Sequence, residues 1–202
     1  MILLKIFGEW DTGEVVVRDP GLKAYINFQP RIVFHHGGRH AKKQFKKSEV
    51  SIVERLVNKL MRSGPGARRL KGKVIRGGGA TGKKMKAYKI VQKALKIVHE
   101  RMKKNPIQVL VDAIQHSAPR EETTRITYGG ITYYVAVDSA PQRRLDIALR
   151  NLAAGAYAAS FSNPKPIEEC LAEEIILAAN NDVKSFAVSQ KEEIERIAKG
   201  AR

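Results

Sequence analysis

The chain has 202 residues, 43% of them apolar, so it can bury a core and is not a disordered polymer. Its 37 Lys and Arg against 20 Asp and Glu give a net charge of +17, a self-repulsion that a polyanionic partner offsets. The single cysteine, Cys170, excludes an intrachain disulfide and a cysteine-based zinc site, and it fits a reducing cytosol.

This length predicts one domain, or one domain with extensions. The start is interrupted by Lys5 and followed by Glu9 and Asp11, so no signal-peptide core forms. No apolar run approaches the ~20 residues that span a bilayer. A cytoplasmic protein with no membrane segment is expected.

The charge is concentrated in one stretch. Between Arg31 and Lys104 stand 23 Lys and Arg but only three acids, Glu49, Glu54 and Glu100. A solvated helix face usually mixes signs to gain i,i+4 pairing, and this stretch does not. It is read as a phosphate-binding surface.

In chain order, residues 1–30 read as short strands or loops, with Glu14–Val17 extended and a turn at Asp19-Pro20-Gly21. Residues 31–48 carry almost nothing apolar to pack, and are read as a basic arm that orders only against a partner. Ser51 and Glu54 match a capping box, opening a helix whose apolar face is Ile52, Val53, Leu56, Val57 and Leu60. Ser63-Gly64-Pro65-Gly66 stops it, and a glycine-rich insert at about 64–82 follows as a long loop.

Tyr88, Val91, Leu95, Val98 and Met102 recur at helical spacing from about Lys83 to Lys103, with Lys86, Lys89, Lys93 and Lys96 opposite. Asn105-Pro106 starts another helix, with Ile107, Leu110, Val111 and Ile114 inward. The period then switches to two on either side of Gly129-Gly130, which predicts a hairpin at about 123–137. Its tyrosines, Tyr128, Tyr133 and Tyr134, suit either core or base stacking. One face is expected to pack and the other to meet solvent or RNA. Three further amphipathic helices run from Pro141 to Ala159, Lys165 to Asn180, and Ser189 to Lys199, the last opened by a Ser189–Glu192 capping box. The fold class is therefore mainly α: a bundle of about six helices with one protruding β-hairpin and an extended basic N-terminal arm. Residues 1–48 form the extension and arm, and 49–202 the helical domain.

Catalytic motifs do not assemble. Gly77–Lys84 nearly matches a Walker A loop, but Lys84 stands where the Mg²⁺-binding Ser or Thr belongs, and no βαβ alternation follows. The same glycine amides and lysines suit an RNA phosphate. His35, His36 and His40 lie among lysines with no acid near, a poor cation site and a better RNA contact. Glu168-Glu169 and Glu173-Glu174 read as a solvated helix face, and Cys170 as a small hydrophobe. No enzyme activity, cofactor or metal is expected.

Gly38–Lys43, Ile52–Gly64, the hairpin around Tyr128–Tyr133 and Pro141–Arg144 together resemble the seventh small-subunit ribosomal protein family, closest to its archaeal and eukaryotic branch. The resemblance implies an RNA-binding structural protein in the head of the small ribosomal subunit. It implies direct contact with the 3′ major domain of the small-subunit rRNA and early nucleation of head assembly. It also implies a hairpin near the mRNA exit path and exit-site tRNA. Neighbouring small-subunit ribosomal proteins are the other expected partners, with the chain a monomer within the ribosome. The expected rRNA-binding residues are Arg39, His40, Lys42, Lys43, Lys46, Lys47, Arg55, Lys59, Arg62, Arg68, Arg69, Lys71, Lys73, Arg76, Lys83, Lys84, Arg143 and Arg144. Tyr128, Gly129, Gly130 and Ile131 are expected near mRNA or tRNA. Another basic nucleic-acid-binding protein, of chromatin or RNA-chaperone type, is the alternative, but no short-turn recognition-helix pair stands out. A peripheral membrane protein would need its apolar stripe exposed, and neighbouring helices offer faces that cover it.

Overall fold

A computed structural model describes residues 5–31, 33–64 and 81–202, together with the backbone of 68–70 and 73–75. The expected helical bundle with a projecting hairpin forms. Its long helices are α2 (Ile52–Met61), α3 (Lys84–Met102), α4 (Pro106–Ser117), α5 (Pro141–Ser160), α6 (Ile167–Ala179) and α7 (Phe186–Gly200). A single-turn helix, α1 (Pro20–Lys23), replaces the turn expected at Asp19-Pro20-Gly21. The Asp19 carboxylate accepts from the Gly21 N–H, and Pro20 fills the first helical position.

α6 is the hub, packing against α3, α4 and α5, while α2 packs on α3 and α5. Leu95, Leu110, Leu149, Leu152 and Leu171 are fully buried in the shared core, each contributing roughly 1.5–3 kcal/mol over an exposed side chain. Gly155 marks the tightest approach. A Cβ there would meet the Glu174 Cδ and the Phe186 Cβ at 2.9 Å, so α5 needs a glycine where α6 and the start of α7 converge.

Neither expected capping box forms. Ser51 precedes α2 but its hydroxyl makes no cap, and the Glu54 side chain is turned to His36 and Lys84 instead of back to Ser51. α7 begins at Phe186, ahead of Ser189, with Ser185 as its N-cap. A carboxylate from α6 decides that boundary. Glu174 accepts from the Ser185 hydroxyl at 2.8 Å and from the Phe186 and Ala187 N–H groups at 3.3 and 2.9 Å, where an anion complements the helix dipole. Glu174 is thus a buried cap and not part of a solvated face.

The N-terminal part is more firmly attached than its composition suggested. Phe7, Phe34 and Tyr88 form an aromatic cluster with ring centroids 4.9–6.0 Å apart, and Trp10 meets Phe7 edge-on. Phe34 is only 2% exposed, so the segment read as having almost nothing to pack is pinned to α3 by one ring. The extended segment expected at Glu14–Val17 forms no strand: Glu14 lies in a turn, and no strand pairs with residues 15–19. Side-chain amides of α4 take that place. Gln108 both accepts from the Val16 N–H and donates to its carbonyl, and Gln115 accepts from the N–H groups of Arg18 and Asp19.

Two antiparallel pairs occur among the described residues. β1 (Arg68–Leu70) pairs with β2 (Lys73–Ile75) inside the insert expected to be a loop. β3 (Glu121–Tyr128) pairs with β4 (Ile131–Asp138) through the Gly129-Gly130 turn, in register from Glu121↔Asp138 to Tyr128↔Ile131. Both glycines have positive φ, +57° and +81°, as a two-residue turn of the primed type requires.

Candidate nucleic-acid interface

Exposed cations stand in the arm, at the end of α2 and along α3. The arm contains two 3₁₀ turns, Arg39–Lys42 and Lys46–Glu49, and is linked to α3 through Phe34 on Tyr88, to α2 through His36 and to α5 through Lys47. Two buried or half-buried carboxylates hold it. Glu54, within α2, accepts from the His36 N–H and the Lys84 ammonium, both at 2.7 Å. Asp146 on α5 collects three cations: Lys47 from the arm, Arg55 at 3.3 Å and Lys59 at 3.2 Å.

Charge is unevenly matched in that second group. Burial alone would raise the Asp146 carboxyl, but Lys47, Lys59 and Arg55 outweigh it and hold it below its ordinary value. Burial lowers Lys59, and the single shared carboxylate only partly opposes this, with Lys47 and Arg150 adding repulsion. One anion among three cations leaves this group with net positive charge, carried toward solvent by the part-exposed Lys47 and Lys59.

The expected RNA contacts therefore divide. Arg39, Lys42, Lys43, Arg62 and Lys83 are exposed; His40, Lys46 and Lys47 are half-buried. Lys59 and Lys84 are part-exposed and paired with Asp146 and Glu54. Arg143 reaches out from α5 with a 2.6 Å link to Glu122. Two residues are corrected. Arg55 is 3% exposed and holds Asp146 and the Tyr25 carbonyl. Arg144 is 9% exposed, bonded to Asp19 and to the Pro119 carbonyl. Both guanidinium groups bind the fold together instead of presenting themselves to solvent. Of the insert, Arg68, Arg69 and Lys73 stand in β1 and β2 with side chains outside the described residues. Lys71 and Arg76 lie outside them altogether, as does the Gly77–Gly79 part of the Walker-like run.

His36 and His40 face each other, ring centroids 5.3 Å apart, and His36 Nδ1 accepts from the His40 N–H. Burial lowers the His36 pKa, and the nearby Glu54 only partly opposes it. Among the described residues no group of three His, Cys, Asp or Glu could hold a metal, and no helix is long and apolar enough to cross a membrane.

β3 and β4 form a second surface of different chemistry. Their root is fastened by the Arg202–Glu121 ion pair and by Glu195, which accepts from the Arg120 N–H. From Arg125 to Val135 every residue is exposed, including Tyr128 at 80% and Tyr134 at 65%. The expectation that one face packs is overturned: the ribbon outreaches α7, and neither face of its outer half is covered. Its tip, Tyr128-Gly129-Gly130-Ile131, is apolar and uncharged.

The sequence pattern of the ribosomal protein S7p/S5e family matches residues 22–202. The chain belongs to that family. It is 55% identical over 199 residues to the small ribosomal subunit protein uS7 of the archaeon Methanothrix thermoacetophila, spanning 98% of this chain and all of that protein. The S7p/S5e pattern begins at Leu22, whereas the archaeal relative accounts for nearly the whole chain, including most of the aromatic N-terminal segment. What the residues missed in this S7p/S5e chain are the carboxylates that organise the cations, Glu54 and Asp146. An acid embedded in a basic segment or on an amphipathic helix reads as surface, and only its three-dimensional company shows otherwise.

Proposed function

We propose that this chain is a structural, non-catalytic component of the small ribosomal subunit, working in the cytoplasm. In this reading it binds the 3′ major domain of the small-subunit rRNA directly, nucleates assembly of the subunit head, and holds β3–β4 beside the mRNA exit path and exit-site tRNA. The observation that carries the rRNA part is the cationic surface of the arm, the end of α2 and the start of α3, where Glu54 and Asp146 anchor the arm and leave Arg39, Lys42, Lys43, Arg62 and Lys83 to solvent. Phosphate contacts fix position and supply most of the affinity, and this surface is built for them. The uncharged, uncovered tip of β3–β4 suits transient contact with a passing ligand better than tight backbone anchorage. Membership of the S7p/S5e family and the likeness to an archaeal uS7 support the whole assignment.

Titrating the chain against a transcript of the 3′ major domain at several salt concentrations tests it. Six to ten phosphate contacts predict a loss of about 10³–10⁵ in affinity between ~50 and ~200 mM salt on a duplex, and somewhat less on single strands. A nearly flat salt response would overturn the rRNA part.

A further inference from the structure

We propose that Phe45 is a stacking platform for an unpaired base of the bound RNA, an inference that rests on the rRNA-binding reading above. The aromatic ring is 59% exposed, in the middle of the run Lys42-Lys43-Gln44-Phe45-Lys46-Lys47. It stands apart from the aromatic cluster of Phe7, Phe34 and Tyr88. Its backbone lies in the left-handed region, with φ +60° and ψ −2°, a conformation unfavourable for a bulky residue and one that glycine would adopt freely.

Strain of this kind persists only where surrounding structure enforces it. Here the Phe45 carbonyl accepts from both the N–H and the hydroxyl of Ser48, at 3.0 and 2.8 Å. Those bonds close the turn Lys46–Glu49, and Lys47 within it is tied to Asp146 on α5. The backbone under the ring is therefore fixed to the bundle while the ring itself faces out. With most of Phe45 exposed, little apolar burial offsets the strain in the free chain.

A fixed, exposed aromatic ring flanked by ammonium groups is what single-stranded RNA recognition uses: lysines follow the phosphates and the ring takes a base on its face. An apolar pocket on a neighbouring protein is the other natural receiver of an exposed Phe. It would have to desolvate the four flanking lysines, whereas phosphates neutralise them. RNA is the better fit.

The test uses the full chain, the 3′ major domain transcript, and the variants Phe45→Leu, Phe45→Trp and Phe45→Gly. Phe45→Leu should bind about tenfold more weakly with an unchanged salt slope, since a stacked base is lost and no charge is. Phe45→Trp should bind like the parent. Phe45→Gly should melt no lower than the parent, because it relieves the left-handed backbone, yet bind as weakly as Phe45→Leu. Parental affinity in Phe45→Leu would overturn the platform and leave the RNA reading intact. Failure of the parent itself to bind the transcript would remove both. Should Phe45→Leu bind the transcript normally but enter reconstituted subunits poorly, the ring contacts a protein and the proposal falls.

Discussion

The Lys84 ammonium lies 2.7 Å from Glu54 Oε1, joining the first turn of α3 to the interior of α2. The Glu54 side chain is 1% exposed, and its second oxygen has no partner, so the link is stringent in one direction. Lys84→Met leaves a buried carboxylate with only the His36 N–H, a situation that costs about 3–5 kcal/mol. Urea unfolding should show that loss, and adding Glu54→Gln should recover part of it. A loss of about 1 kcal/mol or less, as for an exposed pair, would mean that the carboxylate is solvated.

The Asp146 group sets an acid limit. Its folded carboxyl titrates below the ordinary value of 3.8 because three cations outweigh burial. A carboxyl depressed on folding adds stability that is complete above the unfolded pKa and disappears as pH falls through the folded one. Asp19, paired with Arg144, is lowered in the same sense. Asp146→Asn should therefore be less stable than the parent at pH 7, and the two stability curves should converge below about pH 4. Parallel curves down to the acid limit would remove Asp146 from this role.

Gly155→Ala opposes two known tendencies. Alanine favours a helix by about 1 kcal/mol over glycine, but its Cβ would stand 2.9 Å from Glu174 and Phe186. Overpacking of this kind costs about 1–3 kcal/mol, and the carboxylate it disturbs also caps α7. A net fall in melting temperature of roughly 2–6 °C is expected. A rise would show that α6 and α7 yield without cost.

Deleting Thr127–Thr132 and rejoining β3 to β4 should leave affinity for the 3′ major domain within a few-fold, because the tip carries no cation. Translation fidelity or exit-site occupancy should change instead. Loss of rRNA binding with helical content intact would make the ribbon part of the anchor.

Much of this architecture could be read from residue order. The stripe from Tyr88 to Met102, the prolines that open α4 and α5, and the Gly129-Gly130 turn each act locally, so spacing alone announces them. The buried acids could not be read this way. α2 is covered on nearly every side, Ser51 to Val57 being buried without interruption, because Tyr25, Asn27 and His36 from the N-terminal part and Asp146 from α5 meet the face that amphipathic spacing assigns to solvent. That cover is long-range, and it converts Glu54 from an N-terminal cap into an internal anchor. Glu174 followed the same course, since the helix it caps is a different one. The cationic surface was legible as charge, but which cations are free depended on Asp146 and Asp19, which lie far away in sequence from the residues they hold.

The segment 15–19 is held to α4 by the neutral amides of Gln108 and Gln115, while Lys47 is held to α5 by charge. Dissolved ions screen the second kind of bond and leave the first nearly untouched. Rising salt consequently weakens the charged tie of the arm before it touches the strap on α4, while the buried Phe34 ring keeps the start of the arm on α3.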